Sequence, residues 1–380
     1  VLAHHGQSRE SAPEYLQKFD LIVTSYGTLA RDIGSFALVT WGAAICDEGQ
    51  NIKNSRAQAA KAVKQLVAKG RYILTGTPVE NSLEDLRSLF GFLMPGYLPK
   101  PEERVQADER KWHDDRLLQM AAPYILRRSK VAVAPELPAK IEQIVYCDFE
   151  DNQKKIYDEI LESTRQEIFE MEMGGATQAR IQMAAFNQLL RLRQICADPR
   201  ILDPKLAEAD SAKLQAFLEL VEESKDAGHR MLVFSTFVTA LQLLKEALED
   251  RDIPYCYLDG STKDRQGVCD TFNSTPTIPV MLMSLKAGGT GLNLTGADTV
   301  IHFDPWWNPA AEAQATDRAH RIGQTRTVTS IKLIAAGTIE ERVMELQKSK
   351  SEMLRKLLTE SDSVSSGLSL DVIKDLLRKD

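Results

Sequence analysis

No Gly-Lys dipeptide occurs in the 380 residues, which excludes a phosphate loop of the form G-x-x-x-x-G-K-[ST] from them. Cys-x-x-Cys pairs are missing too. The five cysteines (Cys46, Cys147, Cys196, Cys256 and Cys269) are scattered and odd in number, which argues for reduced, mostly buried thiols. A zinc site or a disulfide framework is thereby disfavoured. No apolar run approaches the roughly 18 residues that cross a membrane as a helix. The longest oily stretches, such as Met231-Leu232-Val233-Phe234, have the length of strands. The start carries neither a signal peptide's basic and apolar regions nor an initiator Met, so Val1 reads as a cut point. A basic excess is also lacking. Lys and Arg number 47 against 54 Asp and Glu, a net charge of −7, so no overall positive field draws in nucleic acid. A local groove stays open, because arginines gather at Arg127-Arg128, at Arg191 and Arg193, and at Arg318, Arg321 and Arg326. Scattered solvated arginines are the alternative for each.

The chain is 43% hydrophobic and 27% charged, the balance of a folded globular protein, and is long enough for two domains with separate cores. In the first hundred residues, Leu21-Ile22-Val23, Ala43–Cys46 and Tyr72-Ile73-Leu74 are short apolar runs between polar or glycine punctuation. Such runs are strands of a parallel sheet covered on both faces. The texture returns after about residue 228, with strands at Met231–Phe234, Tyr255–Leu258, Val280–Met283, Thr299–Phe303 and Ser330–Ile334. Strand–helix alternation implies a doubly wound α/β sheet in each half. Between the halves, from about Ser82 to Val221, the pattern is mainly helical; Phe186, Leu189, Leu190 and Arg193 follow i, i+3, i+4, i+7, one face of an amphipathic helix. Thr338-Ile339-Glu340-Glu341 opens the tail as a capping box, with a packing stripe through Val343, Leu346, Met353 and Leu357. A Ser-rich linker, Ser361–Ser369, precedes one last short helix.

Four segments carry chemistry. Asp47-Glu48-Gly49-Gln50 follows directly on a strand, and ligands of open α/β sheets sit beyond the strands' carboxyl ends. Phosphoryl transfer needs one carboxylate for Mg²⁺ and another to orient water, although a polar loop also fits this segment. Leu74-Thr75-Gly76-Thr77-Pro78 ends the next strand and suits either a polar coupling loop or a plain turn. Asn308-Pro309 reads as N-cap and first residue of a helix to about Arg321, which sets Gln314, Asp317, Arg318 and Arg321 on one face. Arginines there could act as fingers on a phosphoryl group; a solvated polar face is the alternative. Finally, the glycines of Ser284–Asn293 suit a nest for a nucleic-acid phosphate or a tight strand-to-helix turn.

In this order the blocks resemble the Swi/Snf family of helicase superfamily two. Asp47–Gln50 is similar to motif II, Leu74–Pro78 with Glu80-Asn81 to motif III, and Val233-Phe234-Ser235 to motif IV. Leu258-Asp259-Gly260-Ser261 is similar to the following block, and Ser284–Leu294 to motif V. Asp304-Pro305-Trp306-Trp307-Asn308-Pro309 and Gln314–Gln324 resemble motif VI with its upstream signature. Tyr124–Lys130 and Leu189–Pro199 resemble family-specific stretches between the lobes.

The resemblance implies an α/β fold of two RecA-like lobes, the first N-terminally truncated, with helical insertions between and upon them. Residues 1–140 would end the first lobe, 141–210 form a helical insertion, 211–338 the second lobe and 339–380 C-terminal helices. It implies a DNA-dependent ATPase that translocates on double-stranded DNA and remodels a DNA-bound protein complex, such as a nucleosome or RNA polymerase, using ATP and Mg²⁺. Asp47 would position Mg²⁺ through water, Glu48 orient the hydrolytic water and Gln50 couple the sites. Arg318 and Arg321 would reach the ATP phosphates, with Gln314 and Gly291 also at the nucleotide. Ser235, Gly260, Lys286, Gly289 and Thr290 would touch the DNA backbone, supported by Trp306 and Trp307, for which core packing is an equal alternative. His302 and His320 are expected to pack rather than move protons.

The family's phosphate loop lies well upstream of motif II, so the 380 residues by themselves are expected to be inactive. The expected setting is a bacterial cytoplasm or a nucleus, with no membrane association and a monomeric state. A strand-separating helicase and a non-catalytic DNA-binding module are the competing readings.

Overall fold

Apolar runs too short for helices become parallel strands here, gathered in two separate units. The computed structural model describes residues 1–75, 83–99, 107–126, 128, 130–206, 211–288, 291–345, 348 and 376–377. Among the described residues, one unit takes those of Val1–Arg127 and the other those from Arg128 onward, where the sequence reading gives the first lobe residues 1–140.

In the first unit β1 (Leu2–His4) pairs in parallel with β2 (Ile22–Thr24), and β3 (Thr40–Cys46) with β4 (Val67–Ile73). The helices are α1 (Pro13–Leu16), α2 (Tyr26–Phe36), α3 (Gln58–Gln65), α4 (Leu83–Leu93) and α5 (Ala107–Ala121). Ser25 caps α2 by accepting the Thr28 N–H, satisfying one of the helix's orphan donors. The core gathers Leu16, Leu29, Phe36, Cys46, Ile52, Val63 and Phe92. Successive strand side chains point to opposite faces, and here only one face is covered. Cys46 and Ile73 belong to the core, whereas Ile45 and Tyr72 between them are 63% and 57% exposed. The expectation of strands covered on both faces therefore fails for β3 and β4.

It is met in the second unit. There β5 (Lys140–Cys147), β6 (Met231–Ser235), β7 (Tyr255–Leu258), β8 (Val280–Ser284), β9 (Thr299–His302) and β10 (Val328–Ala335) form one sheet in the order β5-β10-β9-β6-β8-β7. Every pairing is parallel. The helices are α6 (Lys130–Val133), α7 (Asp151–Met173), α8 (Gln178–Ala197), α9 (Ala212–Asp226), α10 (Val238–Glu249), α11 (Arg265–Ser274), α12 (Leu285–Gly288) and α13 (Pro309–Thr316). All five residues of β6 are buried, Met231 and Val233 in one core cluster, Leu232 and Phe234 in another. A strand with apolar cores on both sides has no alternation to show. Each such side chain contributes about 1.5–3 kcal/mol by burial.

The middle region is mainly helical, as expected, and β5 adds one strand at the sheet edge. That strand opens with charged and polar residues around Ile141, closes on the short apolar run 144–147, and is exposed over most of its length, as an edge strand can be. On α8 the proposed apolar face divides. Ile181, Ala185, Leu189, Leu192 and Cys196 pack inward against α7, whereas Phe186 and Leu190 are 45% and 40% exposed.

The tail is fastened by a buried ion pair. Lys213 of α9 and Glu340 are fully buried, 2.6 Å apart, and Lys213 also donates to the Phe303 carbonyl at 2.9 Å. Glu340 accepts the Ala335 N–H at 2.9 Å. Burial pushes its carboxyl up, against the pull of Lys213. Thr338 caps the helical turn that follows by accepting the Glu340 N–H at 3.2 Å, but the reciprocal bond of the expected capping box is replaced, because the Glu340 carboxylate turns to the Ala335 N–H and Lys213. Of the expected stripe, Val343 is buried; Leu346, Met353 and Leu357 lie outside the described residues, as do Ser361–Ser369.

Candidate functional site

At the end of β3 the chain makes a tight reversal that presents its two acids. Asp47 is exposed; its carboxylate accepts the Glu48 N–H at 2.9 Å and its carbonyl accepts the Tyr26 hydroxyl at 2.6 Å. Glu48 lies in the left-handed region (φ 50°, ψ 56°), a conformation that costs a non-glycine residue about 1–3 kcal/mol. Gly49 pays no such strain but is needed for space, because a Cβ there would overlap Ile73. Its N–H donates to the Leu74 carbonyl at 2.9 Å, which ties the turn to the strand beside it.

A polar string then runs between the two strand ends. Gln50 Nε2 donates to Glu48 Oε2 at 2.6 Å, and the Thr75 hydroxyl donates to Gln50 Oε1 at 3.0 Å. The amide thus spans Glu48 and Thr75, its nitrogen toward the one and its oxygen toward the other. Gly76, Thr77, Pro78, Glu80 and Asn81 lie outside the described residues. Behind the acids, burial holds Cys46 protonated, pushing its thiol up to about 11. Burial first, then nearby Cys46, Asp47 and Glu48, raises Tyr26, so its hydroxyl stays a donor.

In the second unit the carboxyl ends of β6, β8 and β9 come together where the strand order turns back on itself. Such a switch point opens a crevice for ligands. Ser235 is not at its surface. It is 1% exposed and donates to Asp304 at 2.5 Å, so its hydroxyl is a strut within the edge and not a free phosphate donor. Asp304, 3% exposed, also accepts the Thr236 N–H at 3.0 Å and the Thr236 hydroxyl. Arg193 reaches it from α8 at 3.3 Å and donates to the Pro305 carbonyl at 2.8 Å.

That guanidinium is ringed by Phe237, Trp306 and Trp307, with centroids 5.3, 5.4 and 5.4 Å away. Half-buried Trp306 and Trp307 therefore spend one face on a cation. The sequence marks Arg193 amid the leucines of α8 and Asp304 at the head of the Asp304–Pro309 block, but not that the two meet.

Gly260 and Lys286 are exposed at this edge. Asp259 shapes the loop by accepting the Ser261 N–H at 2.8 Å and its hydroxyl at 2.6 Å. Those bonds from Ser261 hold its carboxyl below the usual range against the cost of burial. A Cβ on Gly260 would meet nothing within 4 Å, so this structure leaves its surface open to a ligand. Gly291 is exposed with φ 33°, while Gly289 and Thr290 lie outside the described residues.

The arginine segment departs from the expected helix. Asn308 caps α13 by accepting the Ala310 N–H at 3.0 Å, and Pro309 takes the first turn. The helix nevertheless ends at Thr316, and residues 317–321 follow as turns whose N–H groups reach back two to four residues. Gln314, Asp317, Arg318 and Arg321 hence share no single helical face. Tertiary bonds compete with the helix here: Leu294 N–H takes the Arg318 carbonyl at 3.1 Å, and Arg318 Nε donates to Gly288 at 2.9 Å.

Arg318 is turned inward, 7% exposed. Arg321 is exposed, with a 3.5 Å contact to the Leu292 carbonyl, and Gln314 is half-buried. His302 bonds the Thr316 hydroxyl at 2.9 Å and stacks on Phe234; burial lowers it to about 4, which keeps it neutral. His320 bonds the Pro138 carbonyl at 2.8 Å.

Comparison with known proteins shows the family. Residues 1–201 match the SNF2-related domain, and residues 212–323 the helicase conserved C-terminal domain. An uncharacterized ATP-dependent helicase of Mycoplasma genitalium is 35% identical over 97% of this chain and 36% of its own length. The TATA-binding protein-associated factor MOT1 of Saccharomyces cerevisiae is 33% identical over 96% of this chain and 23% of its own length. The Sulfolobus solfataricus SWI2/SNF2 ATPase core, solved in complex with dsDNA, is similar at a TM-score of 0.52 and 32% identity, over 96% of this chain and 78% of that one. The chain spans well under half the length of the curated relatives it matches.

Proposed function

The chain belongs to the SNF2-related family, with the fold of two RecA-like lobes, and from that premise we propose that it supplies the hydrolytic and DNA-tracking parts of an ATP-driven translocase on double-stranded DNA. The observation that carries the reading is the string Glu48–Gln50–Thr75 beside exposed Asp47. One exposed carboxylate suits Mg²⁺, which keeps most of its waters and takes one or two protein carboxylates besides phosphate oxygens. Asp47 would hold that ion through water. When bound, Mg²⁺ neutralises charge on the phosphates.

Glu48, its carboxylate steadied by Gln50, orients the attacking water. The Gln50 amide presents N–H to Glu48 and its oxygen to the Thr75 hydroxyl. Arg321, exposed on its turn, is the arginine best placed to meet a phosphoryl group, with Arg318 and Gln314 behind it.

Exposed Lys286 and Gly260 form the DNA-backbone surface, with Gly289 and Thr290 assigned to it from the sequence alone. The partner class is a DNA-bound protein displaced by tracking, and the setting a bacterial cytoplasm or a nucleus. The 380 residues contain no phosphate loop, so by themselves they do not turn ATP over.

Phosphate release stimulated by duplex DNA tests this. The intact gene product should show it, Glu48→Gln should lower it by about 10²-fold or more, and the 380 residues alone should show none. Stimulated turnover that survives Glu48→Gln would refute the assignment of the acid. Turnover by the 380 residues would refute the claim about the missing loop.

A further inference from the structure

We infer that Lys130 is a positioning residue for the arginine turn, holding Arg321 in place from outside the motif that carries it. The inference rests on the proposed role of Arg321 at the phosphates. Lys130 opens α6, in a stretch of the chain to which the proposed function assigns nothing. Its Nζ lies 2.6 Å from Asp317 Oδ1 and donates to the His320 carbonyl at 3.1 Å. The two anchor points bracket Arg318 and end one residue before Arg321.

The turn needs outside support because residues 317–321 lack the ladder of a helix. Their N–H groups reach the carbonyls of Ala313, Ala315, Thr316, Thr316 and Ala319, irregular spans of two to four residues. One side of the turn is laced to the glycine segment through Arg318 to Gly288 and Leu294 to the Arg318 carbonyl. The other side is laced to residues 130–139. Lys130 makes the two bonds above, and the Pro138 carbonyl takes His320 Nε2 at 2.8 Å. Residues 130–139 are fixed in turn, because the Ala139 carbonyl accepts the Val328 N–H at 3.0 Å where β10 begins.

Arg321 itself has no comparable tie; its side chain makes only the long contact to Leu292 among the bonds described. Its position therefore follows the turn, and Lys130 spans that turn. Side chains of Lys130 and Asp317 are 43% and 38% exposed, so the pair adds little to folding stability. Geometry is another matter. A misplacement of about 1 Å at a reacting group can cost about 10²-fold in rate.

The test uses the intact gene product with saturating duplex DNA and compares Lys130→Met, Lys130→Arg, Asp317→Asn and Arg321→Ala. Lys130→Met should lower kcat about tenfold to a hundredfold with KM for ATP unchanged, since the tie matters in the transition state. Lys130→Arg should restore much of that loss. Asp317→Asn should add little to Lys130→Met, and the melting temperature should stay within about 2 °C of the parent's. An unchanged kcat in Lys130→Met alongside a dead Arg321→Ala would overturn this inference alone. Unchanged turnover in Arg321→Ala would overturn the role of Arg321 and the inference with it. A loss in Lys130→Met matched by a large drop in melting temperature would make Lys130 a folding residue and overturn the inference too.

Discussion

Lys213→Met should destabilise the second unit by about 3–5 kcal/mol, the cost of leaving one member of a buried ion pair uncompensated. The structure gives the reason for the upper part of that range. Both side chains are fully buried, and without Lys213 the Glu340 carboxylate keeps the Ala335 N–H as its described donor. The Phe303 carbonyl loses its donor from Lys213 as well. Replacing both partners, as in Lys213→Met with Glu340→Leu, removes the charges together and should bring stability back to within about 1–2 kcal/mol of the parent.

The sign of the pH dependence follows from Glu340. Its folded pKa is raised by burial above the unfolded value. Its contribution is therefore fully present below the unfolded pKa and declines as pH rises through the folded one. Lys213→Met raises the folded value further, so the deficit of that variant should be large at neutral pH and shrink toward pH 4–5. Urea unfolding of the 380 residues at several pH values, followed by circular dichroism, measures all of this. Additive single-variant losses, or a deficit that grows on acidification, would refute the reasoning.

Ser235→Ala should cost about 1–3 kcal/mol of stability by leaving Asp304 a donor short, while the salt slope of duplex-DNA binding stays unchanged; a shallower slope in anisotropy titrations would return that hydroxyl to the phosphate surface. Lys286→Ala should do the reverse, reducing the slope by about one with little change in melting temperature. Gly49→Ala should destabilise by about 1–3 kcal/mol, because its Cβ would overlap Ile73; an unchanged urea midpoint would show that the turn opens without cost. Gln50→Glu should set a second carboxylate against Glu48, raising the pH needed for phosphate release; an unshifted pH–rate profile would remove Gln50 from the string.

Much of this protein is written locally. The eight strands expected from short apolar runs all form, because a run of three to five apolar residues is a feature within one stretch of chain. The acids at the end of β3 follow from the same logic, as does the cap at Asn308. Tertiary structure alone decided the rest. Ser235 turns inward because Asp304 stands 69 positions away, and Arg193 meets that same carboxylate across 111. Lys213 finds Glu340 across 127 and Lys130 finds His320 across 190. The helix after Asn308 stops at Thr316 because bonds to the glycine segment outcompete its next turns. Hydrophobic periodicity is a property of neighbours in the chain, whereas a buried polar group is satisfied by whatever the fold brings beside it. For that reason the strands and the acids were legible in the sequence, and the partners that hold Arg193, Ser235 and the arginine turn were not.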